Sequence, residues 1–290
     1  MKRKYKVVDA FSEEPLKGNP VAVILESDGL DDTSMQAIAN WTNLSETTFV
    51  LPPTVLGADY RLRIFTPRSE LPFAGHPTLG SAHAVIEAGI AAPKGGKLVQ
   101  ECGVGLVEVA VTMHGAARTL TLSLPPATVT SLSSAGVLEL ESVIGRQIVR
   151  EAAPAIVTVG AVWVVAQLPS VQALLDLRPD FARSAAFERR LGVTGVTLFA
   201  RYEDDAAGIE VRSFAPSCGV DEDPVCGSGN GSIAVFRAQR GLLPTGGAQY
   251  SARQGQCVTR AGKIAVSVDK GGQTYVGGAC VTTVEGILSI

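Results

Sequence analysis

A chain of 290 residues with 46% hydrophobic and 18% charged side chains has the composition of a folded protein, long enough for two ordinary domains or one large one. The formal net charge of −3, with no basic block beyond the opening "MKRK", speaks against a nucleic-acid surface. No run of 18 apolar residues and no apolar signal core occur, so a soluble, cytoplasmic protein without a membrane span is expected.

In chain order, "YKVVDAF" alternates as a strand does. "DDTSMQAIANW" reads as a short helix, with Asp32 or Thr33 as its N-cap and Met35, Ile38 and Ala39 turned inward. In the following "NLSETTFV", Glu46 stands directly before an apolar strand. It is either a solvated edge residue or, flanked by small polar side chains, a proton carrier facing a cleft. Residues 75–89 read as a helix whose stripe of Leu79, Ala82, Val85 and Ile86 ends at Gly89. "GLVEVAVTM", "TLTLSL", "AIVTVGAVWVVAQL", "VTLFARY" and "KIAVSVD" read as strands, and "LPSVQALLDL" as a second short helix. The Pro-rich and then Ser/Thr-rich segment 124–134 is the candidate linker.

The chain repeats itself once. Residues 62–89 and 211–241 each begin with R-x-F-x-P, as Arg63, Phe65 and Pro67 and then Arg212, Phe214 and Pro216. Each continues through an acidic loop and a glycine-bearing turn into a helix that stops at glycine. A duplication of about 150 residues predicts two similar domains, each rich in strands with one long helix, in an α+β arrangement of sheets or barrels around a central helix.

The glycine-bearing turns carry the candidate chemistry. Gly75 in one, and Gly227, Gly229 and Gly231 in the other, let backbone N–H groups converge at a helix N-terminus, which favours an anion. No G-K-[ST] follows, so neither turn is a P-loop, and the spacing is not that of a dinucleotide fold. A small carboxylate, such as that of an amino acid, is the simplest ligand. Polar side chains at these turns are His76, Asp223, Cys226 and Ser228, each of which is either a cap or a site residue. The five cysteines, Cys102, Cys218, Cys226, Cys257 and Cys280, contain no C-x-x-C pair, and with three histidines they give no zinc spacing. No cofactor or metal is expected.

The stretches "GNPVAV" (18–23), "NLSETTFV" (43–50), "RIFTPRSELPFAGHPTLGSA" (63–82) and "EDPVCGSGN" (222–230) closely resemble the PhzF-like family of phenazine biosynthesis. The resemblance covers essentially the whole chain. It implies the diaminopimelate-epimerase fold, with two similar domains, here 1–124 and 125–290, residues 280–290 packing back on the first, and the active site between them. It implies cofactor-independent isomerisation of trans-2,3-dihydro-3-hydroxyanthranilate or a related small carboxylate, by a homodimer. Carried over, Glu46 resembles the proton-transferring carboxylate and His76 the histidine of the G-H-P turn. Asp223 and Ser228 resemble residues beside the substrate, and Asp223 joins Glu46 and His76 as an expected catalytic residue. Asn19, Gly75, Cys226 and Gly227 join Ser228 as expected substrate-binding positions.

Cys226 departs from the commoner threonine of that family and resembles the second thiol of two-cysteine racemases and epimerases. The position for a first thiol is Ala74, so the two-thiol mechanism is unavailable. The helix N-terminus is expected to lower the Cys226 pKa and make the thiol reactive without making it essential. The alternatives are an amino-acid racemase using Glu46 and Cys226 as unlike bases, and a non-catalytic binding protein of the same fold.

Overall fold

The computed structural model describes residues 2–115, 117–204 and 208–290. The chain divides into two compact units, Met1–Leu122 with Gly277–Ile290, and Ser123–Val276.

The first unit contains β1 (Lys2–Ala10), β2 (Asn19–Ile24), α1 (Asp32–Thr42), β3 (Thr47–Leu51), β4 (Tyr60–Phe65), β5 (Glu70–Leu71), α2 (Gly75–Glu87), β6 (Lys97–Cys102) and β7 (Gly105–His114), with β8 (Ala117–Ser123) at its boundary. β1 and β2 are antiparallel, β2 and β3 parallel across α1, β3 and β4 antiparallel, β4 and β6 parallel across α2, and β6 and β7 antiparallel. The second unit contains β9 (Thr128–Ser131), α3 (Ser134–Ile144), β10 (Ala155–Val159), β11 (Ala161–Gln167), α4 (Val171–Leu175), α5 (Phe181–Leu191), β12 (Gly195–Arg201), β13 (Ile209–Ala215), β14 (Val220–Asp223), α6 (Gly227–Gln239), β15 (Ala248–Gln254) and β16 (Gly262–Val268). Its pairings repeat the pattern: β10 and β11 antiparallel, β11 and β12 parallel across α4 and α5, β12 and β13 antiparallel, β13 and β15 parallel across α6, β15 and β16 antiparallel. After β17 (Thr274–Gly278), β18 (Cys280–Ser289) pairs with β1, as β9 pairs with β10.

The repeat extends to side chains. Arg63 donates to both carboxylate oxygens of Glu70 at 2.7 Å, and Arg212 donates to both of Glu222 at 2.9 and 2.7 Å. In each case the guanidinium also lies over the phenylalanine two residues on, at 5.1 Å for Phe65 and 5.0 Å for Phe214. The R-x-F spacing puts both side chains on one face of a strand, which is what this stacked fork requires. Each fork ties its strand to the short strand beside it, β5 or β14, and so fixes the loop that leads into the central helix.

α2 and α6 are those central helices. Every residue from Pro77 to Val85 is buried, as are Gly229–Ala234, Phe236 and Arg237. A helix buried on nearly every face, mostly by small and apolar residues but with His83 in α2 and Asn230 and Arg237 in α6, belongs inside a wrapped sheet rather than on a surface. α1 instead buries one stripe, Met35, Ile38 and Ala39, against Ile24, Phe49 and Phe65.

Three sequence expectations need correction. Asp31, not Asp32 or Thr33, caps α1, accepting the Ser34 N–H at 2.7 Å. Asp32 instead pairs with Arg63. The segment 124–134 is not a bare linker, because the β-branched run Thr128–Ser131 forms β9 and Ser133 caps α3. The apolar run 155–168 is two strands, broken at Gly160, which turns with φ of +75°. α3 and α5 were not anticipated, although Ser133 with Gly145 and Asp180 with Gly192 mark their ends in the usual way.

Candidate active site

In the first unit, the backbone brings a carboxylate and an imidazole together. Glu46 precedes β3, and its carbonyl accepts the Ala22 N–H at 3.3 Å, which pins it to β2. His76 is the second residue of α2. Glu46 Oε2 lies 3.3 Å from His76 Nε2, with the two side chains 16% and 10% exposed. Glu46 Oε2 is buried without a hydrogen-bond partner. Burial, which penalises the charged form, pushes the Glu46 pKa up, and a hydrogen bond with Ser45 only partly opposes it. A carboxylate in this state is a stronger base than one in water, and its Oε2 takes part in no protein hydrogen bond beyond the approach of His76.

Asn19 is the first residue of β2, opposite Ala10. Its placement depends on Gly18, where any Cβ would fall 2.4 Å from the Ala10 carbonyl oxygen. Gly75 opens α2. Ala74, the N-cap, offers no side-chain acceptor to the first turn.

In the second unit, Cys226 occupies the equivalent N-cap of α6, and its Sγ accepts the Gly229 N–H at 3.2 Å. By helix geometry, the N–H groups of Gly227 and Ser228 have no intrahelical partner. The lead-in loop is clasped by a residue the sequence reading did not single out. Gln254 Oε1 accepts from the Cys226 N–H at 3.1 Å and from Asn230 Nδ2 at 2.9 Å, and its Nε2 donates to the Asp223 carbonyl at 2.9 Å. Asp223 accepts the Val225 N–H at 3.0 Å. Ser228 Oγ lies 3.6 Å from Cys226 Sγ and accepts the Trp163 indole N–H at 3.1 Å. No sequence signal links Trp163 or Gln254 to this turn, since both reach it from other strands.

The expected thiolate at Cys226 is not what this environment favours. Full burial pushes the thiol well above its ordinary range, and the Asp223 carboxylate nearby adds to the effect. The Ser228 and Gly229 hydrogen bonds lower it by less than burial raises it. The helix terminus is outweighed by desolvation and a neighbouring negative charge.

Thus Glu46 and His76 meet in one unit, and Asp223, Cys226, Gly227 and Ser228 gather at one turn of the other. Among the described residues, no three of His, Cys, Asp and Glu converge in a group that could hold a metal, and no helix is long and apolar enough to cross a membrane.

Comparison with known proteins places the fold. The family described as phenazine biosynthesis-like protein matches residues 8–286. The chain is similar to antisense-enhancing sequence 1 of Schizosaccharomyces pombe, 40% identical over 290 residues and covering 97% of each. It is also similar to trans-2,3-dihydro-3-hydroxyanthranilate isomerase of Pseudomonas chlororaphis, 37% identical over 246 residues, 83% of this chain and 82% of that one. The crystal structure of a PhzF-family phenazine biosynthesis protein from Bacillus anthracis superposes with a TM-score of 0.90 over the full length of both chains, at 23% identity.

Proposed function

This chain belongs to the phenazine biosynthesis-like family, and from that premise we propose that it is an isomerase that moves a proton within a small, cyclic, carboxylate-bearing substrate of the trans-2,3-dihydro-3-hydroxyanthranilate class. The observation that carries the proposal is the Glu46 carboxylate, buried, raised in pKa and with Oε2 3.3 Å from His76 Nε2 and in no formed hydrogen bond. Glu46 accepts a proton from a ring carbon, the C–H electron pair moves into the conjugated system, and the same carboxyl group returns the proton at another carbon. Nothing is gained or lost overall, so the step needs no redox partner. His76 steers the charge that develops. Asp223 holds the amine or hydroxyl, and the backbone N–H groups of Gly75, Gly227 and Ser228 receive the carboxylate, with Asn19 and Cys226 lining the site. The proposed setting is a cytoplasmic homodimer, which sedimentation and cell fractionation would test.

General acid–base transfer of this kind supplies roughly 10²–10⁴ in rate. The racemase alternative needs Cys226 as a second base, and burial, which holds the thiol protonated, suits it to deliver a proton but not to remove one in the reverse direction. The test is a panel of cyclic amino acids with trans-2,3-dihydro-3-hydroxyanthranilate, followed by NMR. Isomerised product supports the proposal. Stereoinversion supports the racemase, and binding without conversion supports a binding protein.

A further inference from the structure

The Trp163–Ser228 hydrogen bond has a direction that the chemistry of its partners fixes. An indole N–H only donates, so Ser228 Oγ is the acceptor at 3.1 Å. A hydroxyl owns one proton. Of its two lone pairs Trp163 takes one, which turns the hydroxyl proton away from the indole and toward another acceptor, and the nearby Cys226 Sγ at 3.6 Å is a weak one. The indole has little freedom to leave. Trp163 is 2% exposed, lies on β11 between β10 and β12, and stands opposite Gly195 on β12. A Cβ on Gly195 would come within 2.7 Å of the six-membered ring, so the glycine makes the space the indole fills.

We propose that Trp163 is a positioning residue that fixes Ser228 as a hydrogen-bond donor, so that this turn of α6 selects a ligand oxygen that accepts, such as a carboxylate, over a group that donates. The assignment rests on the proposed carboxylate-bearing substrate and adds the residue that orients its receptor. The neighbouring Gly227 and Ser228 N–H groups point to the same ligand chemistry, since they too can only donate.

The test uses 2-aminobenzoate as the probe, with affinity measured calorimetrically on wild type, Trp163→Phe, Ser228→Ala and the double variant. Phe removes the N–H and, with it, part of the bicyclic ring over Gly195, so the double variant and the Ser228→Ala comparison separate the lost bond from the lost bulk. Each single variant is expected to bind roughly fivefold to tenfold more weakly. The double variant is expected to be no weaker than the poorer single one, because both remove the same directed bond. Wild-type affinity in Trp163→Phe, or losses that simply multiply in the double variant, would overturn the assignment while leaving the isomerase reading intact. A wild-type protein that does not bind the probe would remove both the assignment and the carboxylate reading. The indole N–H resonance gives a readout independent of ligand and of the fate of the tryptophan variant. Trp163 and the 74%-exposed Trp41 are the two tryptophans, so Trp41 serves as the internal reference. Ser228→Ala is expected to shift the Trp163 signal and leave that of Trp41 in place, and an unmoved Trp163 signal would contradict the proposal.

Discussion

At Glu46, the same desolvation that strengthens the base also costs stability. Its folded pKa is raised, so the folded protein holds this proton more tightly than the unfolded chain does. The stabilisation is therefore present at low pH and is lost as pH rises through the folded pKa. Glu46→Gln removes the buried charge, and its melting temperature should exceed that of wild type at pH 8, with the gap closing as pH falls below the ordinary carboxylate range. A gap that does not change with pH would contradict the burial argument. At Cys226, replacement by Ser or Thr should keep turnover within about tenfold, a barrier change near 1.4 kcal/mol. Limiting iodoacetamide should label exposed Cys218 and Cys257 before Cys226, as peptide mass spectrometry would show. Early labelling at Cys226, or a loss of 10³ or more in the variants, would restore the thiol as a working base. Glu46 and His76, which lie 3.3 Å apart, could be picked out as candidates because each sits in a local motif. Trp163 and Gln254 were not, because 65 and 28 residues separate them from the groups they hold.

At the scale of elements, glycine marks where a central helix meets its sheet. Gly80 lies in α2, and a Cβ there would come 2.4 Å from Val21 Cγ1 on β2 and 3.7 Å from Val8 on β1. Alanine would gain about 1 kcal/mol of helix propensity. It would also overpack a stiff β-branched neighbour, at a typical cost of about 1–3 kcal/mol. The second effect is expected to win, so Gly80→Ala should lower stability by roughly 1–2 kcal/mol in urea unfolding. A stabilised variant would mean that β2 gives way easily. The stripe of α1 and the strand alternation could be read from period alone, whereas the α1 cap was misplaced by one residue because two aspartates compete at 31 and 32 and only the register of the Arg63 fork separates them. α3 and α5 were missed although their caps are present. Their faces mix small, charged and apolar residues, as in "FARSAAFERRL", and the buried Glu188 reads from sequence as a surface residue.

At the scale of the whole molecule, the repeated R-x-F-x-P was enough to predict a duplicated α+β architecture, because one ion-pair fork per copy recurs with one central helix per copy. The strand β9 hidden in the Pro-rich segment was not visible, since its pairing to β10 is decided by a partner more than 20 residues away. Acid stability should trace to the first unit's helix. His83 is buried in α2 near Glu87, Lys6 and Arg118, and burial, with Arg118 adding to it, lowers its pKa from 6.5 to about 4. The unfolded chain therefore takes up this proton first as pH falls, and stability declines between about 6.5 and 4, by up to about 3 kcal/mol for this one group. His83→Gln should flatten that part of the stability profile, whatever its absolute stability, and an unchanged slope would place the acid sensitivity elsewhere. The measurement that bears most directly on the account is turnover of trans-2,3-dihydro-3-hydroxyanthranilate by wild type and Glu46→Gln, with ligand affinity measured in parallel. The account predicts isomerisation by wild type, and a loss of at least about 10² in Glu46→Gln with affinity retained. Glu46→Gln turning over within tenfold of wild type would contradict it.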